Sequence, residues 1–218
     1  MNVRLITTLS ALIGFGAIST QASPITGFGS PTSAAALTGG SVETFDAAAA
    51  GVYSSFTTSN GVTISGNSTF TLGADYIGQF NNTGVNSIYN GPYGSVQNNL
   101  SQWTFKFGGT VNAFGFNFGA SDLDWTLAAY DSSNTLLESY VIPATHFSNL
   151  GEYYGLWDAG IASATLTAAN NSGGDWVFID NLTIPGGGSN TVPDGGSTLA
   201  LLGGAVTALA FFSRKKRR

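Results

Sequence analysis

The chain offers few side chains for chemistry. His146 is its only histidine and it has no cysteine, which removes thiol nucleophiles and the common zinc ligand sets. A serine nucleophile would depend on His146 as its base, yet no Gly-x-Ser-x-Gly elbow occurs, and beside Phe147 this histidine reads as a loop or partly packed residue. Carboxylates remain. Eleven lie between Glu43 and Asp180, so a glycosidase-type pair about 5–10 Å apart is permitted in many combinations and selected in none. Asp122 and Asp124 alternate on an extended chain and would point to one side, where they could share a cation. The spacing lacks the next oxygen ligand and the glycine of an EF-hand loop, and a polar loop explains the pair more simply. On these grounds the chain is expected not to be an enzyme.

Binding chemistry is better represented. Sugars are held by exposed aromatic faces framed by acids and amides, because pyranose C–H faces pack on rings while hydroxyls seek hydrogen bonds. Two glycine-rich segments carry such rings: Tyr89-Asn90-Gly91-Pro92-Tyr93, and Glu152 to Asp158 with Tyr153, Tyr154 and Trp157. The rings at 153, 154 and 157 cannot all share one face of a strand, so at least one is expected to meet solvent or a neighbouring loop. The competing reading is that these rings cap one end of the domain.

The elements that position these groups read as β-strands. Short runs rich in Val, Ile, Thr and aromatics alternate with Gly, Asn and Ser clusters. Strands are expected near Ser41–Phe45, Tyr53–Thr57, Val62–Ser65, Ser68–Leu72, Gln102–Phe107, Val111–Phe118, Trp125–Tyr130, Leu136–Ile142, Ala162–Ala168 and Trp176–Ile184. Alternation in Trp103-Thr104-Phe105-Lys106-Phe107 and in Phe114, Phe116 and Phe118 puts the rings on one face, which implies two packed sheets, with Gly108-Gly109 as a hairpin turn between these runs. Only Ser33–Leu37 and Asp46–Ala50 suggest a turn of helix. The fold class is all-β, a two-sheet antiparallel sandwich.

Both ends of the chain are addresses. Arg4, the apolar run Leu5 to Ile18 and the small-residue exit Thr20-Gln21-Ala22 make residues 1–22 a signal peptide, cut after Ala22 by signal peptidase. At the other end Val192-Pro193-Asp194-Gly195-Gly196 opens the segment, an uncharged run extends from Gly195 to Ser213, and Arg214-Lys215-Lys216-Arg217-Arg218 follows. The run is long enough to span a bilayer core of roughly 30 Å, with the cations cytoplasmic and the body outside. Residues 23–191 are left as one β-sandwich domain and 192–218 as the C-terminal signal.

This tripartite tail resembles the PEP-CTERM class of sorting signals, and Val192 to Thr198 is similar to its Val-Pro-Asp-Ser-Gly variant, with Gly195 in place of the serine. The resemblance implies a Gram-negative bacterium in which an exosortase recognises the motif, cuts near it, and releases or re-attaches the body at the cell surface, outer membrane or extracellular matrix. It also implies an association with exopolysaccharide.

Removing both ends changes the electrostatics. Lys106 is the only cation left against eleven acids, a net charge of −10 for the body. Nucleic acids and anionic membranes need a basic footprint, which is lacking, so no nucleic-acid partner is expected. No disulfide can assist stability in an oxidising compartment, so a core of this size must suffice, or bound metal must help.

The body resembles, more loosely, jelly-roll domains that look like carbohydrate-binding modules. The similarity rests on Val42 to Asp46, Phe114 to Phe118, Leu127 to Asp131 followed by Leu136-Leu137, and Phe178 to Leu182; the Asn-rich stretch from Phe80 to Leu100 departs from it. In such modules the first and last strands lie together and supply oxygen ligands to a structural calcium. Here that implies Glu43, Asp46 and Asp180, although Glu43 and Asp180 read equally well as a solvated face and a strand-end cap. Two functions follow as expectations: a non-catalytic surface or matrix protein that associates with polysaccharide through Tyr89, Tyr93, Tyr153, Tyr154, Trp157 and Asp158, or a structural, adhesive surface protein that binds other proteins and has no sugar pocket.

Overall fold

A computed structural model describes residues 23–74, 79–80, 83–91, 100–146, 151–169 and 175–186. The signal peptide, the C-terminal segment with Val192, Pro193, Asp194, Gly195 and Gly196, and Tyr93 lie outside the described residues. Ten strands occur in chain order: β1 (Ser23–Phe28), β2 (Ser41–Glu43), β3 (Gly51–Thr57), β4 (Thr63–Ala74), β5 (Asn86–Tyr89), β6 (Gln102–Gly119), β7 (Trp125–Tyr130), β8 (Leu136–Ile142), β9 (Glu152–Ala168) and β10 (Phe178–Ile184). All pair antiparallel in one ten-stranded sheet.

The longest strands organise it. The first half of β6 pairs with β4 and with the second half of β9, while its second half pairs with β10 and with the first half of β9. Register shifts interrupt the ladder between Lys106 and Ala113, and there the sheet folds over on itself. The ring of Phe105 then stacks on Phe116 at 5.4 Å, and Phe107 meets Phe114 at 5.2 Å. Gly108 and Gly109 therefore do not close a hairpin, as alternation alone suggested. They belong to an arch within one continuous strand, which carries the chain from one layer to the other. β9 arches likewise around Gly160, whose φ of +80° suits a residue without Cβ.

Between the layers lie Trp103, Phe105, Phe114, Phe116, Phe118, Trp125, Leu127, Leu156, Leu166 and Ile179, all buried. A smaller cluster covers the outer face of β1, β9 and β6. There two short 3-10 turns, Pro31–Ser33 and Ala35–Leu37, seat Leu37 against Ile25, Ala113 and Tyr153. Gly115 is what lets Leu37 in, since a Cβ at 115 would stand 2.9 Å from its Cδ1.

Sequence alternation located β7 and β8 to the residue and missed β1, β5 and the first half of β9. Two expected strands at 62–65 and 68–72 are one strand, β4, and Asp46–Ala50 forms no helix.

Asp175 ties the end of the core together by accepting hydrogen bonds from the amides of Asp122 (2.7 Å) and Leu123 (3.3 Å) and from the indole N–H of buried Trp125 (2.7 Å). In Asp175→Ala that indole would be left buried without its acceptor, a loss of about 2–4 kcal/mol. The expected result is a thermal midpoint lower by roughly 5–15 °C, with Asp175→Asn falling less because one acceptor oxygen remains.

Candidate functional site

The three carboxylates expected at a calcium site are near neighbours in the fold but serve different partners. β2 and β10 pair, with Glu43 opposite Leu182, so the first and last of the expected strands do lie together. Buried Glu43 accepts from the Phe45 amide at Oε1 (2.8 Å) and from the Ser59 amide at Oε2 (2.6 Å). Asp46 is exposed and its Oδ1 takes the amides of Val85 (2.7 Å) and Asn86 (2.9 Å). Asp180, fully buried, accepts from Asn181 at Oδ1 (2.7 Å) and from Thr83 at Oδ2 (3.0 Å). Each clamps a separate piece of backbone. Among the described residues no group of three or more His, Asp or Glu could hold a metal, and these donors do not fit the six to eight oxygens of a calcium cage.

Asp122 and Asp124 also diverge. Asp122 stands 3.5 Å from His146, both well exposed, whereas Asp124 accepts the Ala144 amide at 3.1 Å.

The aromatic segments differ from the sequence reading. Glycine there does not mark a loop: Gly155 lets β9 approach β6 so closely that a Cβ would sit 2.1 Å from the Phe114 carbonyl oxygen. The segment is therefore a strand, and Tyr153 and Tyr154 are buried in it. Tyr153 turns to the outer cluster, where its hydroxyl accepts from Ser33 at 3.1 Å. Tyr154 turns inward with Leu156. Tyr89 is buried too, its ring against Phe178 and Trp176. Of the described candidates, Trp157 stays open at 37% exposure, and Asp158 is half-buried with its Oδ1 accepting the Ala159 amide at 2.6 Å.

Around Tyr154 the two layers bring together an acidic and aromatic cluster that sequence reasoning did not assemble. Tyr140 of β8 stacks on Tyr154 at 6.5 Å, and the Tyr154 phenol donates to Glu152. Burial, with help from Glu152 and Tyr140, pushes that phenol above its ordinary range. Glu138, also on β8, has its carboxyl raised by desolvation and then by Asp158, and its Oε2 is buried with no hydrogen-bond partner. The period-2 pattern of Glu138, Tyr140 and Ile142 was a usable signal, but nothing in sequence says that β8 faces the far half of β9.

The opposite side of the same layer is regular. Thr57, Thr63, Lys106, Ser163 and Tyr130 form one cross-strand row; Ser55, Ser65, Thr104, Thr165, Ala128 and Ser139 form the next. Gln102, Thr167, Thr126 and Val141 make a third. Neighbours stand about 4.8 Å apart across strands and about 7 Å along them, so hydroxyls repeat over five to six strands in a face whose one charge is Lys106. Thr57 and Thr63 share a hydrogen bond at 3.2 Å, and Gln102 donates to Thr167 at 3.3 Å.

Comparison with known proteins bears on the tail. Residues 191–216 match the VPDSG-CTERM motif, so the chain carries a sorting domain of PEP-CTERM type. No curated protein matches the chain. Among solved structures, the cleaved adhesin domain of Lys-gingipain from Porphyromonas gingivalis is similar at 13% identity and a TM-score of 0.44, over 68% of this chain and 99% of that one. The enzymatically active domain of tailspike protein 4 from bacteriophage CBA120 is similar at 18% identity and a TM-score of 0.33, over 58% of this chain and 19% of that one. At these scores neither likeness bears on function.

Two measurements follow from the carboxylates. Because the folded state raises the Glu138 carboxyl, folding favours its protonated form, and stability falls as pH rises from the ordinary value of 4.5 through the higher folded value. Glu138→Gln should melt higher than wild type at neutral pH and match it below 4.5. A melt of the body in calcium and again in excess chelator should give one midpoint; a site occupied only in the folded state would raise it by several degrees.

Proposed function

We propose, from the premise that the VPDSG-CTERM motif marks an exported protein directed to the cell surface and handled by an exosortase, that the body is a non-catalytic structural or adhesive domain. The observation that carries this reading is the hydroxyl face of β3, β4, β6, β9, β7 and β8. Its strands turn most of their rings inward and present Ser and Thr outward, in a body that bears ten more acids than bases. A flat, near-neutral surface of this kind supplies many weak, repeated hydrogen bonds and little desolvation penalty, which suits lateral contact with other surface proteins.

The polysaccharide reading is the second one, and specific residues favour it. Trp157 offers an open ring on the outer face of β9, and on its inner face Glu152 and Glu138, the latter beside Asp158, adjoin the Tyr140–Tyr154 stack; an open ring and clustered acids are the groups that suit a sugar. In either case the body is read as a jelly-roll-like sandwich following a cleaved signal peptide.

The two readings separate in cells that display the chain. Thr104 and Thr165 are directly opposed at the centre of the hydroxyl face. Thr104→Glu/Thr165→Glu should melt within a few degrees of wild type, since both side chains reach solvent, and should abolish cell-to-cell adhesion measured by settling. Unchanged adhesion in that variant would refute the face. Adhesion lost instead in Trp157→Ala, together with lost retention on the cells' own polysaccharide, would transfer the function to the sugar reading.

A further inference from the structure

We propose that one end of the domain, the end formed by the β6 and β9 arches, lies against the bilayer for as long as the C-terminal segment anchors the chain. This rests on reading the uncharged run from Gly195 to Ser213 as a membrane span. It adds which surface of the body meets the lipid.

The argument is one of strand direction. Ile25, Gly155, Gly115, Thr183 and Val42 form a single row across β1, β9, β6, β10 and β2. Each pair in that row is antiparallel, so β1 runs opposite to β10. The start of β1, Ser23, and the end of β10, Ile184, therefore leave the row on the same side. They stand three strand spacings apart, about 15 Å. On that side also lie Trp157, opposite Ser23, and the two arches at 108–112 and 157–161. Both addresses are thus joined to one end of the body. Eight residues, 187–194, separate Gly186 from the uncharged run that begins at Gly195, and even fully extended they reach at most about 30 Å. The end from which Ile184 emerges is thus the one held nearest the lipid, and turning the far end to the membrane would lay most of that reach along the roughly 20 Å of β10.

Charge and side-chain type agree with this placement. The two arch segments read Gly-Gly-Thr-Val-Asn and Trp-Asp-Ala-Gly-Ile, with Asp158 as their one charge. Trp157 lies on the outer face at 37% exposure, a ring with a polar edge of the kind that settles at the lipid headgroups. Asp122, Asp124, Glu152 and Asp175 cluster beyond the other end of β6 and at the start of β9, where anionic headgroups would repel them.

The test uses the absence of native cysteine. The full chain, exported in a bacterial host that has no exosortase so that its tail is retained, is purified with Thr110→Cys or with Phe28→Cys. The first marks the arch and the second the far end of β1, and both positions are exposed. Each is labelled with a fluorophore and reconstituted in vesicles of phosphatidylcholine with a minor fraction of phosphatidylglycerol carrying a headgroup-linked quencher. Quenching severalfold stronger at 110 than at 28 is the expected result. Equal quenching at the two positions, or stronger quenching at 28, would overturn the proposal. Flotation of the same vesicles separates the premise from the orientation: a chain that fails to float with lipid refutes the membrane span itself.

Discussion

The scarcity of cations governs this structure more than any other feature. With Lys106 as the one lysine or arginine of the body, buried carboxylates find few cations to pair with, and seven of the described acids turn to backbone N–H groups instead. Glu43, Asp46, Asp124, Asp131, Asp158, Asp175 and Asp180 all accept amide protons. A carboxylate that receives two or three such bonds replaces much of its lost hydration, and each bond fixes a segment with no ladder to hold it. In a protein without cysteine these bonds perform the work of staples. They also explain why acids that resemble metal ligands in sequence are spread over separate backbone sites.

The second organising element is the folding of long strands across the core. Because β6 and β9 each serve both layers, the inward rings of one half meet the inward rings of the other half of the same strand, as Phe105 meets Phe116. The arches gather the small, exposed residues at one end and leave most of the acids elsewhere. The same geometry places Tyr140 over Tyr154 and gives the outer side of one layer its regular hydroxyl rows. Core, acidic cluster and hydroxyl face are consequences of one chain path.

Much of this was legible beforehand. Alternation of rings with Thr and Lys in 103–107 showed which side faces the core, and β7 and β8 were located from β-branched and aromatic content. The misreadings share one cause. Gly108 and Gly109 read as a hairpin turn and the glycine-rich 152–158 segment reads as outside the core, whereas Gly108 and Gly109 lie in an arch and Gly155 allows close strand approach. A glycine reports that Cβ is absent and cannot report whether the space is needed for a bend or for a neighbour. Tyr153 and Tyr154 lie buried inside the sheet while Trp157 is the ring that meets solvent, and Glu138 was overlooked because Tyr154 and Asp158 are more than a dozen residues away along the chain.

The sequence alone determined the all-β class, the polarity of individual strand faces, the anionic character of the body and the C-terminal sorting motif, because composition, period and short motifs are local properties. Tertiary structure decided which carboxylates stand together and which bind backbone, which rings remain open, and at which end both termini emerge. Those depend on pairing register and strand direction between residues far apart in the chain, and no local pattern encodes them.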